Sequence, residues 1–173
     1  MAKVKRYSNN PILGPNHDND WEAKAVFSPS IAKKGKNYFM LYRAESSPKE
    51  WHGQEMSLST IGVADGKEKD NFKNRRELIV PEKDWEMYGC EDPRVCKVDD
   101  TFYIFYTALS NYPPNAYGIK IGVALTKDFK SIDEKHLVTH FNSKAMGLFP
   151  RKIYVQYVAV LTVDTDKPPA HVA

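Results

Sequence analysis

The sequence predicts an all-β protein, built as a β-propeller or a similar array of repeated sheets. Three observations carry this prediction. An internal repeat recurs with a period of about 60 residues, each repeat holds several short apolar runs split by turn residues, and helical periodicity is weak throughout. The repeat appears when Ser28-Pro29-Ser30-Ile31 is set against Asp92-Pro93-Arg94-Val95. The same offset carries Tyr38 to Phe102, Phe39 to Tyr103, Leu41 to Phe105, Tyr42 to Tyr106 and Ala44 to Ala108. Ile61-Gly62-Val63-Ala64 then reappears as Ile121-Gly122-Val123-Ala124, and a third copy runs from Phe149-Pro150 through Tyr157–Leu161 to His171-Val172-Ala173.

Each element follows from local chemistry. The X-Pro dipeptides open the first strand of a unit, because proline is tolerated at a strand's first residue or on an edge. Lys34-Gly35-Lys36-Asn37 turns the chain into the strand Phe39–Tyr42. Asp65-Gly66 and Val98-Asp99-Asp100 read as further turns, and Lys67-Glu68-Lys69-Asp70 as a solvated connection between strands. The resulting units span about 22–85, 86–143 and 144–173 of a single partial domain, residues 1–173. The alternating aromatics Tyr38, Phe39, Tyr42, Phe102, Tyr103 and Tyr106 are expected mostly in the core, with one of each pair free to face a central cleft.

Composition narrows the class. The 173 residues suffice for a domain with a real core, and 42% hydrophobic, 12% aromatic and 27% charged residues fit a globular β protein. A net charge of +3 with no basic stripe argues against a nucleic-acid partner. The polar start Met1–Arg6 has no signal-peptide apolar region, and the longest apolar run, around Tyr157–Val163, is too short for a membrane helix. A cytoplasmic location is the expectation. Cys90 and Cys96 on one extended strand place their Cα atoms roughly 20 Å apart, so they are read as reduced, packed thiols. His136 and His140 have a spacing that suits a metal on a helix, but they lie in a β-rich region without a third ligand, and no metal is assigned.

The candidate chemistry centres on Gly89-Cys90-Glu91-Asp92-Pro93-Arg94-Val95. Pro93 disfavours the helical region for Asp92, which is therefore expected to be extended at a strand mouth, with Glu91 and Asp92 on opposite faces. Arg43 occupies the repeat position that holds Thr107 in the second unit. A charged residue replacing a small one there indicates either a site or a surface ion pair.

The ordered motifs Asn10-Pro11-Ile12-Leu13, Trp21-Glu22, Val26-Phe27-Ser28-Pro29, Tyr42-Arg43-Ala44, Gly89-x-Glu91-Asp92-Pro93-Arg94, Tyr106-Thr107-Ala108 and Leu148-Phe149-Pro150 resemble glycoside hydrolase family 130. That resemblance implies a five-bladed propeller, of which this chain covers roughly two and a half to three blades, the N-terminal half. It implies an inverting enzyme that phosphorolyses β-mannosides to mannose 1-phosphate, or alternatively a β-mannoside hydrolase. A non-catalytic carbohydrate-binding or truncated half-propeller is the alternative from another class. By the resemblance Asp92 is the proton donor, Arg43, Ser28 and Glu91 hold the sugar, and Lys144 contacts phosphate. Ser28 stands where the family usually has Asn. Leu161-Thr162 stands where phosphorylases carry His-Arg or Lys-Arg. No cofactor is implied, only inorganic phosphate as a co-substrate, with an oligosaccharide as the partner molecule.

An open arc of this kind exposes apolar sheet faces of several hundred Å², more than monomers usually tolerate. The 173-residue chain is therefore expected to self-associate, two-fold pairing being the commonest closed solution. Light scattering at tens of micromolar checks this, and a monodisperse monomer would refute it.

Overall fold

The computed structural model describes residues 5–165 and 171–173. Among them the architecture is all-β, with short 3-10 turns and no α-helix. No helix of the described residues is long and apolar enough to cross a membrane. The described residues form thirteen strands, β1 to β13 in chain order. Sheet I contains β1 (Ala25–Lys34), β2 (Asn37–Glu45), β5 (Ser59–Gly66) and β6 (Lys73–Ile79), hydrogen-bonded in that spatial order. A separate hairpin of β3 (Lys49–Trp51) and β4 (Gln54–Met56) is inserted between β2 and β5. Sheet II repeats the pattern with β7 (Gly89–Val98), β8 (Thr101–Leu109), β9 (Ile119–Thr126) and β10 (Glu134–Leu137). Sheet III is smaller, with β11 (Met146–Leu148), β12 (Ala159–Val163) and β13 (His171–Val172). All pairings are antiparallel.

Turn residues set these hairpins as expected. Gly35, with φ +60°, closes β1–β2, and Asp99, with φ 51°, closes β7–β8. Asp65-Gly66 differs: it lies inside the end of β5, where Asp65 pairs with Arg76 at 2.9 Å. The exposed Lys67–Asp70 stretch makes the turn into β6 instead.

The sheets stack in a single direction. Phe39, Leu41, Ile61 and Val63 of sheet I pack against Phe102, Ile104, Tyr106 and Ala108 of sheet II. The alternate residues of β2, Met40 and Tyr42, pack with the N-terminal segment at Ile12, Leu13 and Trp21. Sheet II does the same one step on: Phe105 and its neighbour Tyr103, the counterparts of Leu41 and Phe39, meet Met146 and Leu148 of sheet III. Period-2 alternation thus buries both faces of β2 and β8, which explains their continuous apolar runs. The aromatics expected to alternate toward a cleft all serve this packing; none reaches the site described below. Cys90 and Cys96 are free and buried.

A second repeated device locks each sheet. Asp20-Trp21-Glu22 and Asp84-Trp85-Glu86 are both 3-10 turns that bring a fully buried glutamate beneath the sheet. Glu22 accepts from the Tyr42 hydroxyl at 2.9 Å and pairs with Arg75 of β6 at 2.6 Å. Glu86 accepts from the Tyr106 hydroxyl and pairs with Lys135 of β10 at 2.9 Å. Burial pushes both tyrosine hydroxyls well above their ordinary range, the charge of the neighbouring glutamate adding to it. Above each tyrosine the tryptophan ring needs a residue without a side chain. A Cβ on Gly62 would lie 2.6 Å from Tyr42 and 2.7 Å from Trp21, and one on Gly122 would lie 2.6 Å from Trp85 and 2.7 Å from Tyr106.

Two outcomes follow from these clamps. Gly122→Ala destabilises by about 1–3 kcal/mol, because two ring systems must shift. Glu86→Gln leaves the Lys135 ammonium, with a side chain only 5% exposed, with Glu82 at 3.0 Å as its remaining counter-charge and costs about 1.5–3 kcal/mol, the scale of one charge-assisted hydrogen bond. Urea unfolding of both variants checks the values; wild-type midpoints would exclude the clamp as a stabilising unit.

Candidate active site

The site is built where β1 and β7, the edge strands of sheets I and II, pack against each other. Each carries a β-bulge at its X-Pro dipeptide. In β1 the register shifts between Phe27 and Ser30, and in β7 between Glu91 and Arg94. Proline is accommodated because these are edge strands and the bulge needs no ladder donor there. Ser28 has φ 51° and Asp92 has φ 50°. The expectation of an extended Asp92 at the strand mouth is therefore overturned. Asp92 lies within β7 in the left-handed region, which Asp tolerates better than most side chains. Proline disfavours the helical region; the positive φ is imposed instead by the flanking ladder, which holds this residue in a bulge. The bulge also interrupts the strict alternation that would have separated Glu91 from Asp92.

Arg43 is the hub. It stands on β2 opposite Phe27, and its guanidinium lies 4.6 Å from the centre of the Phe27 ring. Its Nη2 pairs with Glu45 at 2.7 Å and with Glu91 at 2.8 Å, and its Nε donates to the Ser59 hydroxyl at 3.1 Å. The Ser59 hydroxyl donates in turn to Glu91 at 3.4 Å, and Lys24 approaches Glu45 at 3.3 Å. With the Arg43 and Glu45 side chains each 16% exposed and Glu91 8% exposed, this is a largely desolvated network and not a surface ion pair. The guanidinium is fixed by two carboxylates, a hydroxyl and an aromatic face.

Asp92 sits beside this network. Its Oδ1 is buried and makes no hydrogen bond to the described residues, an arrangement that native folds rarely leave without a purpose. The Glu91 carboxyl is raised above its ordinary value by burial, with Arg43 and then Lys144 pulling it down and the charge of Asp92 pushing it up. The structure thus joins Arg43 directly to Glu91, with Asp92 next to Glu91 in β7, whereas Lys144 makes its contacts in this region through its backbone. Lys144 is exposed in the approach to β11; its carbonyl accepts from the Thr107 hydroxyl, and its amide donates to Thr162 Oγ1 at 3.3 Å. Arg43 and Thr107, which share a repeat position, thus both serve this region. Ser28 is half-buried on the β1 bulge.

Sequence reasoning missed Glu45 and Ser59. Glu45 was signalled by its place two residues from Arg43 on one strand, hence on the same face; Ser59 has no comparable signal. His136, on β10, pairs with Glu134 at 2.8 Å, and neither it nor His140 joins the site.

Comparisons with known proteins give the family and the fold. A family model described as beta-1,4-mannooligosaccharide phosphorylase matches residues 3–172, and the chain belongs to glycoside hydrolase family 130. It is 32% identical over 160 residues to a 1,2-beta-oligomannan phosphorylase of Thermoanaerobacter sp. (strain X514), covering 91% of this chain and 53% of that protein. The beta-1,2-mannobiose phosphorylase from Listeria innocua, solved with beta-1,2-mannobiose, has a similar fold, with a TM-score of 0.72 at 19% identity over 92% of this chain and 58% of that one. A further structure, of TM-score 0.70 and 19% identity over 90% of this chain and 52% of that one, comes from work describing GH130 glycoside hydrolases that target beta-1,2 mannosidic linkages in Candida mannan. The chain spans about half the length of these relatives.

The balance at Glu91 is testable through pH. A carboxyl raised by folding binds its proton more tightly in the native state, so its contribution to stability is present below the unfolded value and is lost as pH rises through the folded one. Glu91→Gln, which cannot ionise, should therefore gain stability relative to wild type as pH rises above about 4, the ordinary carboxylate range. Urea midpoints measured as pH rises check this; the opposite trend would show that Arg43 outweighs burial.

Proposed function

We propose that this chain forms the acid-bearing half of a β-mannoside-cleaving site, on an arc of a five-bladed propeller. The observation that carries the reading is Asp92, held in a bulge with one oxygen buried and unpartnered among the described residues, beside an arginine whose position is fixed. In this reading the phosphorylase activity comes first. A mannose ring is held by Arg43, Glu91 and Ser28. Asp92 delivers a proton to the glycosidic oxygen through a hydroxyl of the bound sugar, and the C–O bond breaks. Phosphate attacks the anomeric carbon from the opposite face, so the new C–O–P bond forms with inversion and the leaving sugar departs with the proton. Lys144, in the approach to β11, supplies one cation for a dianionic nucleophile, and its charge favours the ionised form of Glu91.

A second reading, hydrolysis, is favoured by Thr162. It occupies the position where the family resemblance calls for a cation, and its hydroxyl accepts from the amides of Lys144 and Ala145 at 3.3 and 3.2 Å. Such a place offers less to phosphate than a guanidinium would. A non-catalytic carbohydrate-binding role is the third, since the chain matches only about half of each relative.

The readings separate in one assay. In the catalytically competent protein, Asp92→Asn lowers turnover of an unactivated β-mannoside by roughly 100-fold or more, the scale of a lost general acid, while sugar binding survives. Near-wild-type rates would eliminate the assignment. Product analysis with and without phosphate then divides the two chemistries. Mannose 1-phosphate formed only with phosphate supports phosphorolysis, free mannose at equal rates in both supports hydrolysis, and saturable sugar binding without either product supports the binding module.

A further inference from the structure

Four aromatic side chains that play no part in the network around Arg43 form a continuous strip at the same end of the sheets. Trp51 closes β3, and His52 and Gly53 make the tight turn into β4, with φ 48° and φ 75°. Tyr88 immediately precedes β7, and Tyr112 stands in the connection after β8. Trp51 and His52 meet edge to face at 5.1 Å, His52 and Tyr88 at 6.1 Å, and Tyr88 and Tyr112 stack at 6.4 Å.

The topology puts this strip beside the site. Glu45 pairs with Ser59, and the β3–β4 hairpin is the connection between those two site residues. Gly89 pairs with Leu109, and the Tyr88 amide donates to the Leu109 carbonyl at 2.8 Å, so Tyr88 and Tyr112 leave the same end of sheet II. Along β7, Tyr88 lies about 10 Å before Glu91 at the usual strand rise, a distance that a short oligosaccharide spans.

A purely structural role does not account for the whole strip. Trp51 is anchored, its indole N–H donating to the Met87 carbonyl at 2.7 Å, and that bond already fastens the hairpin to the body. Tyr112 is 39% exposed and His52 is exposed, so neither ring returns the apolar burial that would justify it in a core. Rings with an apolar face and a polar tip, set side by side at a rim, suit a ligand with apolar C–H faces and hydroxyl edges. A pyranose is such a ligand.

We propose that Trp51, His52, Tyr88 and Tyr112 form a stacking track for the distal sugar units of a β-mannooligosaccharide whose reacting bond lies at Asp92. This rests on the mannoside reading above and adds a length preference to it. The track makes chain length, and not only linkage, a determinant of affinity.

The test is a titration of the protein with a ladder of β-mannooligosaccharides from mannobiose to mannopentaose, read by tryptophan fluorescence and by calorimetry. Wild-type affinity is expected to rise with length. Tyr112→Ala weakens mannotetraose and mannopentaose by about tenfold and mannobiose by less than about twofold, as loss of one aromatic contact requires. Tyr112→Phe retains the length dependence, and His52→Ala weakens the longer sugars without lowering the melting temperature. Equal affinity across the ladder in the wild type, or an equal loss at every length in Tyr112→Ala, overturns the track and leaves the Asp92 site standing. A wild-type protein that binds no mannoside of any length overturns both.

Discussion

Burying a carboxylate is tolerable only when its charge and lone pairs are answered, and the two sheets are organised around that requirement. Glu22 and Glu86 are wholly buried, and each is answered by a tyrosine from the second strand and a cation from the fourth. One side chain therefore ties the incoming turn, an inner strand and the outermost strand of a sheet. Lys135 shows how the balance falls. Burial disfavours its ammonium, yet the hydrogen bond and charge of Glu86 outweigh this and hold it above its ordinary value. Cys90 is pushed the other way, toward the neutral thiol, by burial and then by Glu86. Lys135 also pairs with the more exposed Glu82 at 3.0 Å, so one ammonium answers a buried carboxylate and a rim carboxylate.

With the sheets fixed in this way, their edge strands are free to be irregular. β1 and β7 each give up regular pairing at one dipeptide and gain a redirected side chain. The same bulge that costs ladder hydrogen bonds turns Asp92 out of the alternation and leaves Glu91 against Arg43. An edge strand also presents unpaired backbone groups, and packing β7 against both β1 and β11 covers that liability while drawing residues of three sheets together. Edge protection and site assembly are served by one arrangement.

Much of this was legible in the sequence, and the failures have a common cause. The all-β class, the repeat and the turns at Gly35 and Asp99 follow from periodicity and turn chemistry, because these act over a few neighbouring residues. Arg43 was found because the repeat sets it against Thr107, and burial of its ion pairs decides between the two meanings that the sequence left open. The conformation of Asp92 was misjudged because the pre-proline rule is local. The bulge is imposed from both sides, by Glu91 opposite Thr107 and Arg94 opposite Phe105. Asp65-Gly66 has turn composition, yet Lys73 and Arg76 across the sheet hold this stretch in strand pairing. The Asp-Trp-Glu clamps were within reach, since the same three residues recur one repeat apart, but a short acidic turn carries no apolar period to draw notice.

The repeat also presents the same bulge twice, with a different side chain in each. Asp92 and Ser28 share a repeat position, a bulge and a positive φ, so the fold presents two equivalent places for a side chain. Only one bears a carboxylate. An acid on β1 as well would add negative charge to a β1–β7 contact whose β7 strand already carries Asp92 and Glu91, the latter with its charge disfavoured by burial. The single guanidinium of Arg43 already answers two carboxylates, Glu45 and Glu91. A hydroxyl at Ser28 keeps the bulge and a hydrogen-bonding group while adding no charge. The asymmetry of an acid on one strand and a neutral polar group on its counterpart thus limits the negative charge at the β1–β7 contact, where one guanidinium already serves two carboxylates.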